Sequence, residues 1–242
     1  MTIFNISGYR SVISTFLDRG YKDVGFRDFT PAPHRFILRH DIDFSLACAV
    51  KQADVNADLG VSATFFFLIS SEHYNLASRE GRATLKHVSG RGQKIGLHLD
   101  VALYGPDPDL AAIARDECAI LTALAETELE GVSFHRPVKA LQGVRGLLAN
   151  LPHAYEPRFF NEIEYCSDSQ GRFYHGSPFD RDAFQAGLPM QLLLHPIWWM
   201  RDAEVEPLEA IGEVERERRD ALRASFAANC RPFAKYLEAQ SG

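Results

Sequence analysis

Residues 36–43 read FILRHDID, an apolar run that ends in charged side chains, and the same pattern recurs along the chain. The four further segments of this kind are KIGLHLD (94–100), VSFHRP (132–137), EYCSDS (164–169) and LLLHPIWW (192–199). Burying ionised groups is costly unless they pair or bind a metal, so packing alone does not account for all these endings. The charged endings therefore indicate that the segments meet at one edge of the fold and form a functional site there.

The order of the predicted elements indicates an α/β fold. Strands are predicted at 36–38, 61–69, 94–99, 131–134 and 191–194, with a weaker one ending near Asp168, and helices at 45–59, 109–125 and 207–237. Strands that alternate with helices predict parallel βαβ units, which occur in doubly wound sheets and in β/α barrels. Ionisable residues at the carboxyl ends of the strands favour a distorted β/α barrel of about seven parallel strands. Because no internal repeat or long linker is found, residues 1–242 are predicted to form a single domain.

Composition narrows the range of partners and locations. The 242 residues carry a formal net charge of −6, which favours neither nucleic acid nor an anionic membrane as a partner. The sequence has no apolar run of roughly 18 residues, so no membrane span is predicted. The first residues lack the apolar centre of a secretory signal, and we therefore expect a cytoplasmic protein.

A pair of aspartates suggests a metal site. Asp41 and Asp43 are two residues apart, so a regular strand points both to one face and His40 to the other. The two carboxylates repel each other, and a cation relieves the repulsion. A histidine from a neighbouring strand end would complete the mixed ligand set typical of zinc, cobalt or iron, with His98 as the first candidate and His135 as the next. Asp43 as the cap of the following helix, and His135 as a hydrogen-bonded loop histidine, stay open as alternatives.

The ordered motifs of residues 35–200 resemble those of the NodB-like polysaccharide deacetylases, carbohydrate esterase family 4. The family's paired aspartates are matched by DID at 41–43, and its Gly-x-x-Ala-Thr-Phe-Phe strand by GVSATFFF at 60–67. The later motifs are matched by IGLH at 95–98, RP at 136–137 and LLLH at 192–195. Each motif is short, but the ordered set is specific.

The resemblance implies an acid–base pair for hydrolysis of an amide. Asp41 would be the general base that takes a proton from water, and Arg136 would hold it in place. His195 would be the general acid that protonates the leaving amine. Asp168, a looser match to the family, would orient His195. A core histidine at the end of an apolar strand is the alternative for His195.

The resemblance also implies one divalent metal ion, with zinc first and cobalt, iron or nickel as alternatives. Asp43 and His98 would be two of its ligands, and the ion would activate a water molecule and polarise the acetyl carbonyl. The family commonly has a second histidine four residues after the first. Here that position is Ala102, so the usual ligand set is incomplete.

The third ligand therefore has to come from elsewhere. His135 is preferred, because it follows a neighbouring strand, whereas Asp100 or water is the alternative. Regular alternation cannot point both His135 and Arg136 inward, so Pro137 would have to bend the chain there.

The implied activity is removal of an N-acetyl group from an amino sugar by a single polysaccharide-deacetylase-like catalytic domain. The expected substrate is a nucleotide- or lipid-linked intermediate of bacterial surface-polysaccharide (O-antigen-like) synthesis, because no secretory signal is predicted. A metal amidohydrolase acting on a small non-sugar amide is a second hypothesis. A catalytically silent carbohydrate-binding barrel is a third, since the second histidine is missing.

Aromatic residues near His195 are candidates for sugar binding. Trp198 and Trp199 are the only tryptophans of the chain and come directly after the last predicted strand. Aromatic faces suit the apolar faces of a sugar ring, although one of the two is expected to pack in the core. Tyr74 and Tyr104, in predicted loops, are further candidates.

Overall fold

The computed structural model describes residues 3–136 and 144–240. The chain divides into two compact units, Met1–Glu204 and Val205–Gly242. The candidate site residues named above all belong to the first unit. The assignment of residues 1–242 to one catalytic domain stays a prediction.

A parallel sheet forms the centre of the first unit. Its described strands are β1 (Lys22–Asp23), β2 (Arg35–Ile42), β3 (Thr64–Leu68), β4 (Lys94–Leu99), β5 (Val132–Phe134), β6 (Glu164–Ser167) and β7 (Met190–Leu194). Their order is β5-β4-β3-β2-β7-β6, with β1 paired to β2, and the sheet curls into a half-barrel. All the pairings between these strands are parallel. The predicted α/β fold with about seven parallel strands is confirmed.

Helices connect and flank the strands. In the first unit they are α1 (Ile6–Asp18), α2 (Leu46–Leu59), α3 (Arg79–Gly90), α4 (Leu110–Ala125), α5 (Pro157–Phe160), α6 (Asp182–Gln185) and α7 (Pro196–Trp199). The longer ones begin where a side chain accepts a hydrogen bond from a free backbone N–H, and Ser45 does so for α2. That helix ends at Gly60, whose φ of 70° places it in the left-handed region, so the predicted helix and its end are confirmed.

The second unit contains α8 (Pro207–Asn229) and α9 (Arg231–Gln240). The prediction of one helix over 207–237 is wrong, because Cys230 has extended backbone with φ −135° and ψ 97°. Pro232 explains the break, since proline has no N–H to donate and its ring clashes with the preceding helical turn. Among the described residues, no helix combines the length and apolar character needed to cross a membrane.

Strand β2 lies in the middle of the sheet, between β3 and β7, and its register places His40 beside Leu194. The His40 side chain points away from the two aspartates, and its Nδ1–H donates to the Leu194 carbonyl at 3.0 Å. Its Nε2 accepts from the Asn56 amide of α2 at 3.1 Å. Burial lowers the pKa of His40 to about 4, so the ring is neutral and suited to this donor and acceptor pair. The first contact joins the carboxyl ends of β2 and β7, and the second joins β2 to α2.

Candidate metal centre and active site

Three side chains from different strands converge at the carboxyl end of the sheet. Asp43 follows β2, His98 belongs to β4, and His135 follows β5. Asp43 Oδ1 lies 3.2 Å from His98 Nε2 and 3.4 Å from His135 Nδ1. The two ring nitrogens are 3.2 Å apart. One oxygen and two nitrogens therefore form a nearly equilateral triangle.

This triangle fits a divalent metal ion. Metal–ligand bonds of about 2.0–2.1 Å at tetrahedral angles place neighbouring ligand atoms about 3.3–3.4 Å apart, which matches the observed spacings. Asp43 Oδ1 is buried and has no hydrogen-bond partner among the described residues. Burial raises the pKa of Asp43, but the facing rings of His135 and His98 lower it by more, so the pKa lies well below its ordinary value. The group is thus an ionised carboxylate whose free oxygen faces two imidazole nitrogens.

The alternatives for these residues are less compatible with the structure. Ser45, not Asp43, caps α2, since its hydroxyl accepts from Cys48 N at 3.2 Å. Asp100 has both oxygens engaged, one by Ala102 N at 3.2 Å and the other by Arg136 at 2.5 Å. Asp100 is therefore occupied by other partners, whereas His135 is directed at Asp43 and His98.

Asp41 lies beside this triangle with its two oxygens in different environments. Oδ2 accepts from Arg39 Nη2 at 2.8 Å and lies 3.5 Å from the Ser133 hydroxyl. Oδ1 is buried and has no partner among the described residues. Burial raises the pKa of Asp41, but the charge of Arg39 and, after it, of His98 and His195 lowers it below its ordinary value. The carboxylate is ionised, with one oxygen free to accept a proton.

The guanidinium that pairs with Asp41 belongs to Arg39 and not, as expected, to Arg136. Arg136 has 65% of its side chain exposed and pairs with Asp100. The reason is the backbone: β5 ends at Phe134, and Arg136 has a φ of 48°, so the chain leaves the extended conformation before this side chain can face Asp41. The expected bend at Pro137 lies outside the described residues. Arg39 could have been found in the sequence, because it shares a strand face with Asp41 two residues on.

His195 and Asp168 form a second pair on the other side of β2. The carboxylate of Asp168 accepts from His195 Nδ1 at 2.6 Å and from His195 N at 3.0 and 3.1 Å. Burial lowers the pKa of His195, but Asp168, with smaller contributions from Asp43 and Asp41, raises it to about 9. His195 Nε2 is 3.8 Å from Asp43 Oδ2, so this nitrogen faces the centre. The ring is therefore a protonated imidazole aimed at the candidate metal centre.

The aromatic candidates are placed differently from one another. Trp199 has no exposed surface, and its indole N–H donates to Asp168 Oδ2 at 2.6 Å, so it supports the site from within the core. Trp199 is thus the tryptophan of the two that packs in the core, and its ring offers no exposed face to a sugar. Trp198 is half-buried and remains a candidate. Tyr74 is buried with its hydroxyl bonded to the Ile42 carbonyl at 2.5 Å, and the Tyr104 hydroxyl bonds to Glu117.

Fold and site together define an α/β half-barrel with a candidate metal centre and an adjoining carboxylate and imidazole. No family model matches the chain, and no curated protein matches it. Among solved structures, it is similar to a family 4 acetyl xylan esterase from Clostridium thermocellum in complex with a cobalt ion, at 14% identity over 77% of this chain and 84% of the other, with a TM-score of 0.39. A family 4 carbohydrate esterase from Bacillus anthracis is 15% identical over 88% and 86% of the two chains, with a TM-score of 0.43. A chitin deacetylase from Colletotrichum lindemuthianum is 13% identical over 77% and 83%, with a TM-score of 0.45.

Proposed function

We propose that this protein is a metal-dependent hydrolase that removes the N-acetyl group from an amino sugar. The proposal rests on the convergence of Asp43, His98 and His135 beside Asp41 Oδ1, a buried oxygen without a hydrogen-bond partner within residues 3–136 and 144–240. The motif resemblance supports the acetyl group and the sugar as parts of the substrate. Trp198 is proposed to contact the sugar.

The chain's own residues can perform the proton transfers of amide hydrolysis. A divalent ion, proposed to be zinc and held by Asp43, His98 and His135, would act as a Lewis acid and lower the pKa of a water molecule. Asp41 accepts the proton of the attacking water at Oδ1, the oxygen that no described residue occupies. His195 donates its Nε2 proton to the departing amine, and Asp168 stabilises the imidazolium until then.

The proposed substrate is an amino-sugar intermediate of bacterial surface-polysaccharide synthesis, attached to a nucleotide or lipid carrier. A cytoplasmic location is part of this proposal and follows from the expectation drawn from the sequence. A small non-sugar amide is the second candidate class, because the roles proposed for Asp41, His195 and the metal ligands concern the amide and not the group attached to it.

Acetate release tests the function directly. The protein is depleted of metal with a chelator, reloaded with Zn²⁺ or Co²⁺, and incubated with free and UDP-linked N-acetyl amino sugars and with small N-acetyl amides. We expect metal-dependent acetate release from sugars and little from the amides. Release from the amides alone would favour the amidohydrolase, and a protein that binds sugars but releases no acetate in any metal form would be a silent binding barrel.

Asp168→Asn is expected to lower the upper pH limit of the activity. In the native protein Asp168 holds the pKa of His195 above its ordinary value, so kcat/KM should fall on the alkaline side, where the imidazolium loses its proton. Removing the Asp168 charge lowers this pKa, and the fall should begin at a lower pH. The measurement is kcat/KM against pH, with the exposed Asp182→Asn as control. An unchanged upper limit would show that His195 is not the acid that sets it.

A further inference from the structure

Arg39 is a charged residue enclosed in the interior of the sheet. Its side chain has no exposed surface. Nη2 donates to Asp41 Oδ2 at 2.8 Å and to the Tyr155 hydroxyl at 3.2 Å. The guanidinium carbon lies 5.0 Å from the centre of the Tyr155 ring and 5.7 Å from that of Phe66. The two terminal nitrogens of Arg39 thus donate to fixed acceptors beside two aromatic rings, whereas its Nε is buried without a hydrogen-bond partner among the described residues.

Gln191 of β7 fixes the other arm of the guanidinium. Its Oε1 accepts from Arg39 Nη1 at 3.3 Å. Its Nε2 donates to the carbonyls of Ala154 and Phe159 at 3.2 and 2.7 Å. Because both amide protons are committed to backbone carbonyls, the oxygen has to face Arg39. The residues around Arg39 are therefore arranged to hold a guanidinium in one position.

The pairing with Asp41 leaves one carboxylate oxygen free. An arginine and a carboxylate frequently pair through two parallel hydrogen bonds, which occupy both oxygens. Here Arg39 contacts Oδ2 alone, and Oδ1 stays buried without a partner among the described residues. A contribution to stability alone does not account for this pair, because well-packed apolar residues in place of a buried ion pair often stabilise a fold equally well.

We propose that Arg39 is the positioning residue of Asp41. It fixes the rotamer of the carboxylate through Oδ2, so that Oδ1 faces the reacting water. The inference rests on the proposed function. It assigns the holding of the base to Arg39, which lies on the same strand as Asp41, and not to the exposed Arg136, which pairs with Asp100.

The test compares Arg39→Met and Arg39→Lys with Arg10→Met. Arg10 is a matched control, because it also contacts an aspartate, Asp58, at 2.8 Å, but on the surface. We expect Arg39→Met to lower kcat about 100-fold with KM changed less than about threefold. The Kd for Co²⁺, followed by its visible spectrum, should stay near the native value, because the proposed ligands are untouched. Arg39→Lys should restore part of kcat, and Arg10→Met should match the native protein.

A double-mutant cycle with Asp41→Asn separates positioning from general structural damage. If Arg39 acts through Asp41, Arg39→Met should lower kcat little further once Asp41 is Asn. A full additional loss in the double variant, or a native kcat in Arg39→Met together with a large loss in Arg136→Met, would overturn the proposal. Should Arg39→Met fail to fold, the same comparison is made with Arg39→Lys.

The urea midpoint of unfolding distinguishes failure of this inference from failure of the proposed function. The Arg39 and Asp41 substitutions should each lower the midpoint, and the double variant should lower it by less than the sum. If no substrate releases acetate, the proposed function fails, but coupled midpoints would still support Arg39 as the group that holds Asp41. Additive midpoints would overturn that assignment whether or not the enzyme is active.

Discussion

Asp41→Asn is expected to reduce kcat by about 10²–10⁴-fold, the range that a positioned acid or base contributes. The substitution keeps the shape of the side chain but replaces Oδ1, to which no described residue donates, or its neighbour Oδ2, by an amide nitrogen that cannot accept a proton. The Kd for Co²⁺ should change little, because Asp41 is not one of the three proposed ligands. The measurement is the rate of acetate release under saturating substrate, with metal content determined for each preparation.

The same substitution should also destabilise the protein. Arg39 would remain buried without its counter-charge, and breaking a buried pair by removing one partner typically costs about 3–5 kcal/mol. Asp58→Asn is the control, since Asp58 pairs with Arg10 at the surface, where an ion pair contributes about 0–1 kcal/mol. Native kcat in Asp41→Asn, measured on protein shown to be folded, would remove Asp41 from the mechanism.

The sequence predicts most of the geometry of the candidate metal centre. Asp43, His98 and His135 each follow or end an apolar run, and parallel strands bring such ends to one edge. The two-residue spacing of Asp41 and Asp43 sets their common face, and the structure places His40 on the other one. These properties are local to each strand, so a pattern along the chain is sufficient to predict them.

Arg39 was overlooked in the sequence, and the contacts of Trp199 and Arg136 differ from those expected of them. The two-residue spacing of Arg39 and Asp41 is visible in the sequence, but the contacts of Arg39 with Tyr155 and Gln191, which are 116 and 152 residues away, are not. Trp199 is buried against Phe4, with the two ring centres 4.3 Å apart, although these residues lie near opposite ends of the sequence of the first unit. Arg136 was expected to hold Asp41 because its motif resembles the family's. Its contacts follow instead from a positive φ that no motif encodes.

His135→Ala is expected to weaken Co²⁺ binding by more than the roughly 10–100-fold that loss of an outer-shell partner costs. The substitution removes one of the three converging atoms and leaves Asp43 and His98 alone, fewer than the three protein ligands of a catalytic zinc site. Activity should fall with metal content and recover in part at high Co²⁺. The measurement is a titration of metal-free protein, followed by the visible spectrum of the ion.

Two further substitutions make this result specific to His135. His87→Ala removes an imidazole that pairs with Asp54 on the helices, and it should bind Co²⁺ as the native protein does. Asp100→Asn tests the other candidate for the third ligand, and we expect a much smaller change, because both Asp100 oxygens already accept hydrogen bonds. If Asp100→Asn lost the ion while His135→Ala retained it, the third ligand would be Asp100, and His135 would make only polar contacts with Asp43 and His98.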